Sequence, residues 1–228
     1  MYSLVLLNGG IGQRVRAEAP KQFLRVDGRP IVVFSLVAAD EVADIDEIIL
    51  NYPHGWLEEL RQLVSDFAIK TPIRYVQAGQ TRHESVWEML GHCRNENVIL
   101  HESARPMVTA EDFRAIIADQ RSNVSYMLPI PFTVAPVEPQ TQSVTGYLER
   151  DRLRNVQLPQ KFAKADLVSA HEQARRSGRT FTEDATLCAE AGHKVFYLEG
   201  SDSNIKVTTP LDVKLATYLL SSGGNDDE

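Results

Sequence analysis

The stretch that decides the fold is SLVLLNGGIGQRVRAEAPKQ, residues 3–22. Its apolar run, residues 4–7, predicts a buried strand that stops at Asn8 and opens into a glycine-containing turn. Bare backbone at the end of a buried strand lets amide N–H groups approach a phosphate closely, and the cations Arg14 and Lys21 follow. The stretch therefore predicts a site for a nucleotide triphosphate at the carboxyl end of the first strand.

The spacing of the glycines narrows the kind of nucleotide site. Gly10 and Gly12 lack the third glycine of the dinucleotide fingerprint, and no clear acidic residue ends a second strand about 20 residues further on. No Gly-Lys-Ser/Thr follows, which excludes a Walker loop. What remains is a short loop containing Asn8, Gly9, Gly10 and Gly12, with two cations that can embrace a triphosphate. A purely structural turn with solvated cations is the alternative.

Size and composition restrict the class of protein. The 228 residues suit one α/β domain, predicted over residues 1–220, with a disordered tail at 221–228. A net charge of −7 argues against a nucleic-acid partner, because such proteins usually carry a basic face. No apolar run approaches the ~20 residues of a membrane span, and no charged leader precedes the first strand. We therefore expect a cytoplasmic protein without a membrane partner.

The two cysteines support the same expectation. Cys93 and Cys188 lie far apart in the sequence and lack the spacing of metal ligands. They are predicted to be buried free thiols, as is typical of a reducing compartment.

Apolar runs alternate with amphipathic segments along most of the chain, which is typical of a largely parallel sheet. Strands are predicted at residues 4–7, 45–51, 73–76, 98–101, 125–129 and 195–198. Helices are predicted at residues 30–38, 56–67, 83–92, 110–119, 164–178, 184–191 and 209–220. The fold class that follows is α/β, with a mostly parallel, Rossmann-like sheet flanked by helices.

One segment, residues 131–150, breaks this rhythm. It is rich in Pro, Thr, Gln and Val, and its alternation predicts an extended hairpin too polar for the core. We call this segment the arm. Arms of this kind commonly pack on a second subunit, and a plain surface loop is the alternative.

Three later stretches carry further candidate groups. Thr81 and Glu84 form a capping-box pattern, while Gly79 and Ser85 beside them could bind the edge of a base. Glu102 ends a predicted strand, where a carboxylate can bind Mg²⁺ or simply favour a helix N-terminus. Lys206 stands between apolar neighbours, where a lysine needs a charged or polar partner.

Taken together, these stretches resemble the CTP-dependent polyol-phosphate cytidylyltransferases, which include the 2-C-methyl-D-erythritol 4-phosphate and ribitol-5-phosphate enzymes. The resemblance runs from residue 3 to about residue 220. The matching motifs are Gly10-x-Gly12-x-Arg14, Pro20-Lys21-Gln22, Ala104-Arg105-Pro106, Pro159-Gln160, and Asn204-Ile205-Lys206 with Thr209-Pro210.

The resemblance implies a reaction in which a polyol phosphate attacks the α-phosphorus of CTP in line and pyrophosphate leaves. It assigns catalysis to Arg14, Lys21 and Lys206, and Mg²⁺ binding to Glu102. It assigns nucleotide binding to Asn8, Gly9, Gly10, Gly12, Gly79, Ser85 and Arg105. Thr133 and Arg150 on the arm would bind the polyol phosphate across a dimer interface, so a homodimer is expected.

Several positions depart from the family pattern. The family usually has Asp where this chain has Glu102, and the acidic residue expected before Asn-Ile-Lys is Ser203, with Asp202 one position earlier. Phe132 and Leu158 replace polar residues of the methylerythritol enzymes, which suggests an altered acceptor pocket. The run at residues 209–214 leans toward the ribitol-phosphate enzymes, so the sequence leaves the acceptor open.

Two other functions fit the sequence as well. One is a degenerate nucleotide-binding protein that keeps the fold without catalysis, because the acidic residues at 102 and 203 are altered. The other is a sugar nucleotidyltransferase that uses another base.

Overall fold

The computed structural model describes residues 1–10 and 20–222. Its strands, in chain order, are β1 (Tyr2–Leu7), β2 (Arg25–Val26), β3 (Arg29–Pro30), β4 (Ile45–Tyr52), β5 (Ile73–Gln77), β6 (Asn97–Glu102), β7 (Val124–Pro129), β8 (Val137–Glu138), β9 (Ser143–Val144), β10 (Arg154–Ala163) and β11 (Phe196–Glu199). Its helices are α1 (Ile31–Asp40), α2 (Leu57–Asp66), α3 (Arg82–Leu90), α4 (Ala110–Ala118), α5 (Lys164–Arg176), α6 (Asp184–Glu190) and α7 (Pro210–Ser222).

Seven strands form one central sheet in the order β11-β7-β10-β6-β1-β4-β5. Neighbouring strands run parallel, except that β10 is antiparallel to both β6 and β7. The predicted class, an α/β fold with a mostly parallel sheet, is confirmed.

The order of the strands places a binding crevice beside β1. From β1 the chain adds β4 and then β5 on one side, and it returns to place β6 on the other side. Ligands in open α/β sheets bind where the strand order reverses, beyond the carboxyl ends of the strands. Here that point lies between β1 and β6, whose last residues, Leu7 and Glu102, are partners in register.

The core lies on both faces of the sheet. In β1, Leu4 and Leu6 pack against one buried cluster, and Val5 and Leu7 against the other. Because successive strand side chains point to opposite faces, a continuous apolar run is what a strand covered on both faces requires. The apolar run therefore fixes β1 in the middle of the molecule, with its polar end at the crevice.

Most predicted boundaries agree with the structure within two residues, and two predictions need correction. Strand β10 was not expected, because its sequence RNVQLPQKFA carries polar residues and a proline that hide a strand pattern. The predicted tail begins too early, because α7 continues through Ser222, where the Ser221 hydroxyl donates to the carbonyls of Thr217 and Tyr218. Residues 223–228 lie outside the described residues.

The arm contains the predicted hairpin. Strands β8 and β9 pair antiparallel, with Val137 opposite Val144, and both side chains are exposed. Its role in dimerisation stays a prediction.

Two other features bear on the expected class of protein. Both cysteines are free and buried, as predicted. Within residues 1–10 and 20–222 no helix is long and apolar enough to cross a membrane.

Candidate active site

A cavity of about 450 Å³ opens at the carboxyl ends of β1 and β6. The described residues that line it are Leu7, Asn8, Gly9, Gly10, Lys21, Gln22, Asn51, Gly79, Gln80, Thr81, Arg82, Ser85, Glu102, Ser103, Ala104 and Lys206. The crevice that the strand order predicts is thus the place where the sequence motifs converge.

The loop that follows β1 is held by side chains from three other segments. The Asn8 amide N–H donates to Asn51 Oδ1 at 2.5 Å, and Ser103 Oγ donates to Asn8 Oδ1 at 2.7 Å. Gln22 Nε2 donates to the Asn8 carbonyl at 2.5 Å. These bonds fix the wall of the cavity before any ligand arrives, which lowers the entropic cost of binding.

Gly9 is required by close packing. A Cβ at this position would lie 2.3 Å from Ala78 Cβ and 2.8 Å from Asn51 Nδ2. Any larger residue would therefore separate the β1 loop from the segment that follows β5. By contrast, a Cβ at Gly10 would meet open space.

The N-terminus of α3 and the residues before it form another part of the cavity wall. Thr81 Oγ1 accepts from the Glu84 N–H at 3.1 Å, and Glu84 Oε2 accepts from the Thr81 N–H at 3.2 Å, which confirms the predicted capping box. The Gly79 N–H donates to Ser85 Oγ at 3.0 Å, and both residues line the cavity. The capping role and a role in binding a base are therefore compatible.

Glu102 is the centre of charge in the cavity. Its carboxylate lies 3.2 Å from Arg82 Nε and 2.5 Å from Lys206 Nζ, and it is the only acidic side chain among the described lining residues. Burial alone would raise the pKa of Glu102, but Lys206 and Arg82 outweigh burial and lower this pKa to about 2. Glu102 is therefore ionised throughout the physiological range.

Arg82 joins this centre to a second buried acid. Its Nη1 lies 2.5 Å from Asp184 Oδ2, and Asp184 Oδ1 lies 3.0 Å from His171 Nε2. Burial would raise the pKa of Asp184, but Arg82 and His171 reverse that effect and lower it to about 2. The Arg82 guanidinium thus links Asp184, the first residue of α6, to Glu102 in the cavity wall.

Lys21 also lines the cavity. Its ammonium group donates to the Val207 carbonyl at 3.0 Å, so the Pro-Lys-Gln segment is fastened to the segment that carries Lys206. Lys21, Arg82 and Lys206 place three cationic side chains on the described lining of the cavity. Such a set suits a ligand with several negative charges.

The structure brings together most of the residues singled out by sequence. The candidates that line the cavity are Asn8, Gly9, Gly10, Lys21, Gly79, Ser85, Glu102 and Lys206. Gly12 and Arg14 lie outside the described residues. Arg105 is buried and is not among the described lining residues, and its Nη1 donates to the Asn204 carbonyl at 2.8 Å. A contact of Arg105 with the nucleotide stays a prediction.

Thr133 and Arg150 lie on the exposed arm and are not among the described residues that line the cavity. Arg150 Nη1 reaches the Pro131 carbonyl at 3.4 Å, and its guanidinium lies 3.9 Å from Asp151. Within one chain these two residues therefore do not complete the site.

Sequence reasoning missed several lining residues, among them Asn51 and Arg82. Asn51 lies in β4, close to its carboxyl end, and is buried, so a polar residue near the end of an apolar strand was the available signal. Arg82 was hidden inside the capping-box pattern. Its role depends on Asp184, which lies 102 residues away in the sequence.

The expected metal can be tested against these groups. In residues 1–10 and 20–222, no three His, Cys, Asp or Glu side chains are grouped to hold a metal ion. Mg²⁺ in nucleotide enzymes commonly takes one or two carboxylates and the substrate phosphates. Glu102 supplies one ionised carboxylate of the kind that this ligand set requires, and its binding of Mg²⁺ stays a prediction.

Comparison with known sequences and structures identifies similar proteins. The family described as 2-C-methyl-D-erythritol 4-phosphate cytidylyltransferase (IspD) matches residues 2–222. The enzyme of that name from Bacillus cytotoxicus is 33% identical over 223 residues, which cover 96% of this chain and 98% of that one. The one from Synechococcus sp. is 33% identical over 226 residues, covering 95% and 96%.

Solved structures of similar proteins lead to the same family. The 4-diphosphocytidyl-2C-methyl-D-erythritol synthase of Anaerococcus prevotii superposes with a TM-score of 0.84 at 27% identity, covering 97% of this chain and 96% of that one. The 2-C-methyl-D-erythritol 4-phosphate cytidylyltransferase of Thermus thermophilus gives 0.75 at 28% identity, covering 96% and 98%.

Proposed function

The chain belongs to the 2-C-methyl-D-erythritol 4-phosphate cytidylyltransferase family, a group of nucleotidyltransferases, and from this premise we propose that it condenses CTP with 2-C-methyl-D-erythritol 4-phosphate. The products are a CDP-linked polyol and pyrophosphate. The observation that carries the proposal is the cavity at the end of β1, where Arg82 and Lys206 pair with the Glu102 carboxylate and Lys21 lines the same wall.

The proposed reaction needs alignment and charge stabilisation more than a base. A phosphate monoester is already anionic at neutral pH, so its oxygen can attack the α-phosphorus directly. Negative charge then grows on the α-phosphate and on the leaving pyrophosphate. Lys21 and Lys206, which both line the cavity, stabilise that charge, and Arg14 adds a further cation.

Nucleotide binding is assigned to the two walls. The loop of Asn8, Gly9 and Gly10 and the segment of Gly79 and Ser85 hold the cytosine and the phosphates. Glu102, together with oxygens of the triphosphate, would hold Mg²⁺. That ion, when bound, supplies neutralising charge to the triphosphate.

The exposed arm supports a homodimer. Its apolar side chains Phe132, Val137, Val144 and Tyr147 are each more than half exposed, with Tyr147 at 82%. A second subunit would bury them and bring Thr133 and Arg150 to the polyol phosphate of the partner's site. A cytoplasmic location stays part of the proposal.

The choice of acceptor follows the family. The leaning toward ribitol phosphate at residues 209–214 has no counterpart in the names of the relatives compared above. Leu158, which replaces a polar residue, is buried in the core and is not among the described lining residues of the cavity. Its substitution therefore does not by itself change the cavity wall.

The decisive experiment measures pyrophosphate release from CTP and Mg²⁺ with each acceptor in turn. We expect turnover with 2-C-methyl-D-erythritol 4-phosphate and at least 10-fold lower kcat/KM with ribitol 5-phosphate or glycerol 3-phosphate. CTP should outcompete UTP and GTP. Lys21→Ala should lower kcat by about 10²-fold or more, because charge stabilisation at the transition state is lost.

Calorimetry distinguishes the two other functions. Binding of CTP with no turnover on any acceptor would indicate the degenerate nucleotide-binding protein. Preference for another nucleotide would indicate a different nucleotidyltransferase.

A further inference from the structure

Lys206 is carried by an irregular segment, residues 200–209, between β11 and α7. A long flexible side chain on such a segment can hold a fixed place only if the backbone beneath it is held. The groups that hold this backbone come from β10 and from the turn after β6.

Gln157 of β10 makes the largest number of these contacts. It is buried, and its side-chain amide reaches both ends of a short turn: Nε2 donates to the Ser201 carbonyl at 2.9 Å and to the Asn204 carbonyl at 3.4 Å. Its Oε1 accepts from the Ser201 N–H at 3.2 Å. One side chain thus closes the turn two residues before Lys206.

Other groups complete the hold on this segment. Arg105 Nη1 donates to the same Asn204 carbonyl at 2.8 Å, and Asn204 Nδ2 donates to the Leu158 carbonyl at 2.7 Å. Directly after Lys206, the Val207 N–H donates to the Ala104 carbonyl at 2.8 Å. The backbone is therefore held on both sides of the lysine.

Gly200 shows how closely Gln157 approaches the segment. A Cβ at position 200 would lie 2.2 Å from Gln157 Oε1 and 3.1 Å from its Cδ. A side chain larger than hydrogen would push the amide away from Ser201. The glycine thus allows the amide to sit against the backbone.

We propose that Gln157 is a positioning residue for Lys206, acting through the turn at residues 201–204 to hold the lysine over the cavity. The inference rests on the catalytic role proposed above for Lys206. Gln157 itself is not among the described lining residues of the cavity. A displacement of about 1 Å at a reacting group can cost about 10²-fold in rate, so this hold matters for kcat rather than for binding.

The test is a double-mutant cycle of Gln157→Met and Lys206→Gln. Methionine keeps the length of the side chain and removes its three hydrogen bonds. We expect Gln157→Met to lower kcat by about 10- to 100-fold with less than a 3-fold change in KM for CTP. In the Lys206→Gln background the same substitution should change kcat by less than about 2-fold, because the group it positions is gone.

Asn123→Leu is the matched control. Asn123 is another buried amide, and its side chain makes three hydrogen bonds, to Asp166, Lys194 and Ala163. It lies just before β7, beside the last residue of β10, and is not among the described lining residues of the cavity. It should lower stability without a comparable loss of kcat. If Gln157→Met fails to fold, Gly200→Ala tests the same contact from the loop side and should give the same coupling to Lys206.

Equal losses of kcat from Gln157→Met with and without Lys206 would overturn the inference, as would wild-type kcat in both Gln157→Met and Gly200→Ala. Wild-type kcat in Lys206→Gln would overturn it together with the role of the lysine. Hydrogen exchange does not depend on turnover: Gln157→Met should speed exchange at residues 201–207 by at least 10-fold. If the wild-type protein shows no cytidylyltransferase activity, the proposed reaction is wrong. Faster exchange in Gln157→Met than in wild type would still show that Gln157 holds the turn at residues 201–204.

Discussion

At the residue scale, the site is a set of buried charges that stabilise one another. Glu102 and Asp184 are each almost completely buried, and Arg82 lies between them. Burying a charge costs several kcal/mol, which a well-placed partner offsets, so removal of one partner leaves an uncompensated charge. The arrangement explains why the Glu102 carboxylate in this cavity stays ionised although it is buried.

Asp184→Asn tests that arrangement through stability. The folded protein holds the pKa of Asp184 at about 2, below the value of about 3.9 in an unfolded chain. The ionised Asp184, paired with Arg82 and His171, therefore stabilises the fold above about pH 4, and this contribution is lost as pH falls toward 2. We expect the variant to lose about 3–5 kcal/mol of unfolding free energy at pH 7, with the difference shrinking below pH 4, measured by urea unfolding.

The control for this prediction is Glu58→Gln. Glu58 pairs with Arg61 at 2.8 Å, but both side chains are more than half exposed. Exposed pairs contribute about 0–1 kcal/mol, so this variant should change little at any pH. Similar losses of unfolding free energy in Asp184→Asn and Glu58→Gln would contradict the claim that burial makes the Asp184 ion pairs stronger than an exposed pair.

At the scale of elements, the strands and helices follow from local sequence, and their ends carry the function. Helices α3 and α4 begin with the same capping box, on Thr81 and Thr109. Only the box of α3 faces the cavity. The same local device therefore stabilises one helix and, in the other, also shapes a ligand wall.

The two caps form a matched pair for experiment. Thr81→Ala and Thr109→Ala should each lower the free energy of unfolding by about 1 kcal/mol, because each leaves helix N–H groups unpaired. Only Thr81→Ala should also raise KM for CTP, by about 3- to 10-fold, because only that cap lines the cavity. Equal values of KM in the two variants would show that the wall tolerates loss of the cap.

At the scale of the whole molecule, the arm is an element whose residues are mostly exposed. Its short hairpin has exposed apolar side chains, and a second subunit would remove them from water. The proposed homodimer would make each polyol-phosphate site depend on both chains.

Val144→Asp with Tyr147→Ser tests this arrangement. We expect the double variant to become monomeric in light scattering and to lose at least 10-fold in kcat/KM for the acceptor, because a buried charge opposes association. The control is Leu211→Ser with Tyr218→Ser on α7, whose side chains are 72% and 66% exposed. That control should leave the mass unchanged, and a dimer in both variants would place the interface elsewhere.

Sequence reasoning predicted most elements correctly because the apolar periodicity of each is local. It missed β10, whose Gln157, Pro159 and Gln160 do not form a strand pattern, although burial between β6 and β7 stabilises it there. It found Glu102 and Lys206 as separate candidates. Their contact at 2.5 Å could not be predicted, because it joins residues about a hundred positions apart in the sequence.

The sequence by itself determined the alternation of strands and helices, the glycine turn after β1 and the capping boxes, since each depends on residues within one or two turns of the chain. Only the tertiary structure decided the strand order that places β6 beside β1, and with it the pairing of Arg82 and Lys206 with Glu102 in the cavity that Lys21 also lines. The physical reason is that pairing of strands and of buried charges depends on contacts between distant segments, whose energy exists only once the sheet has formed.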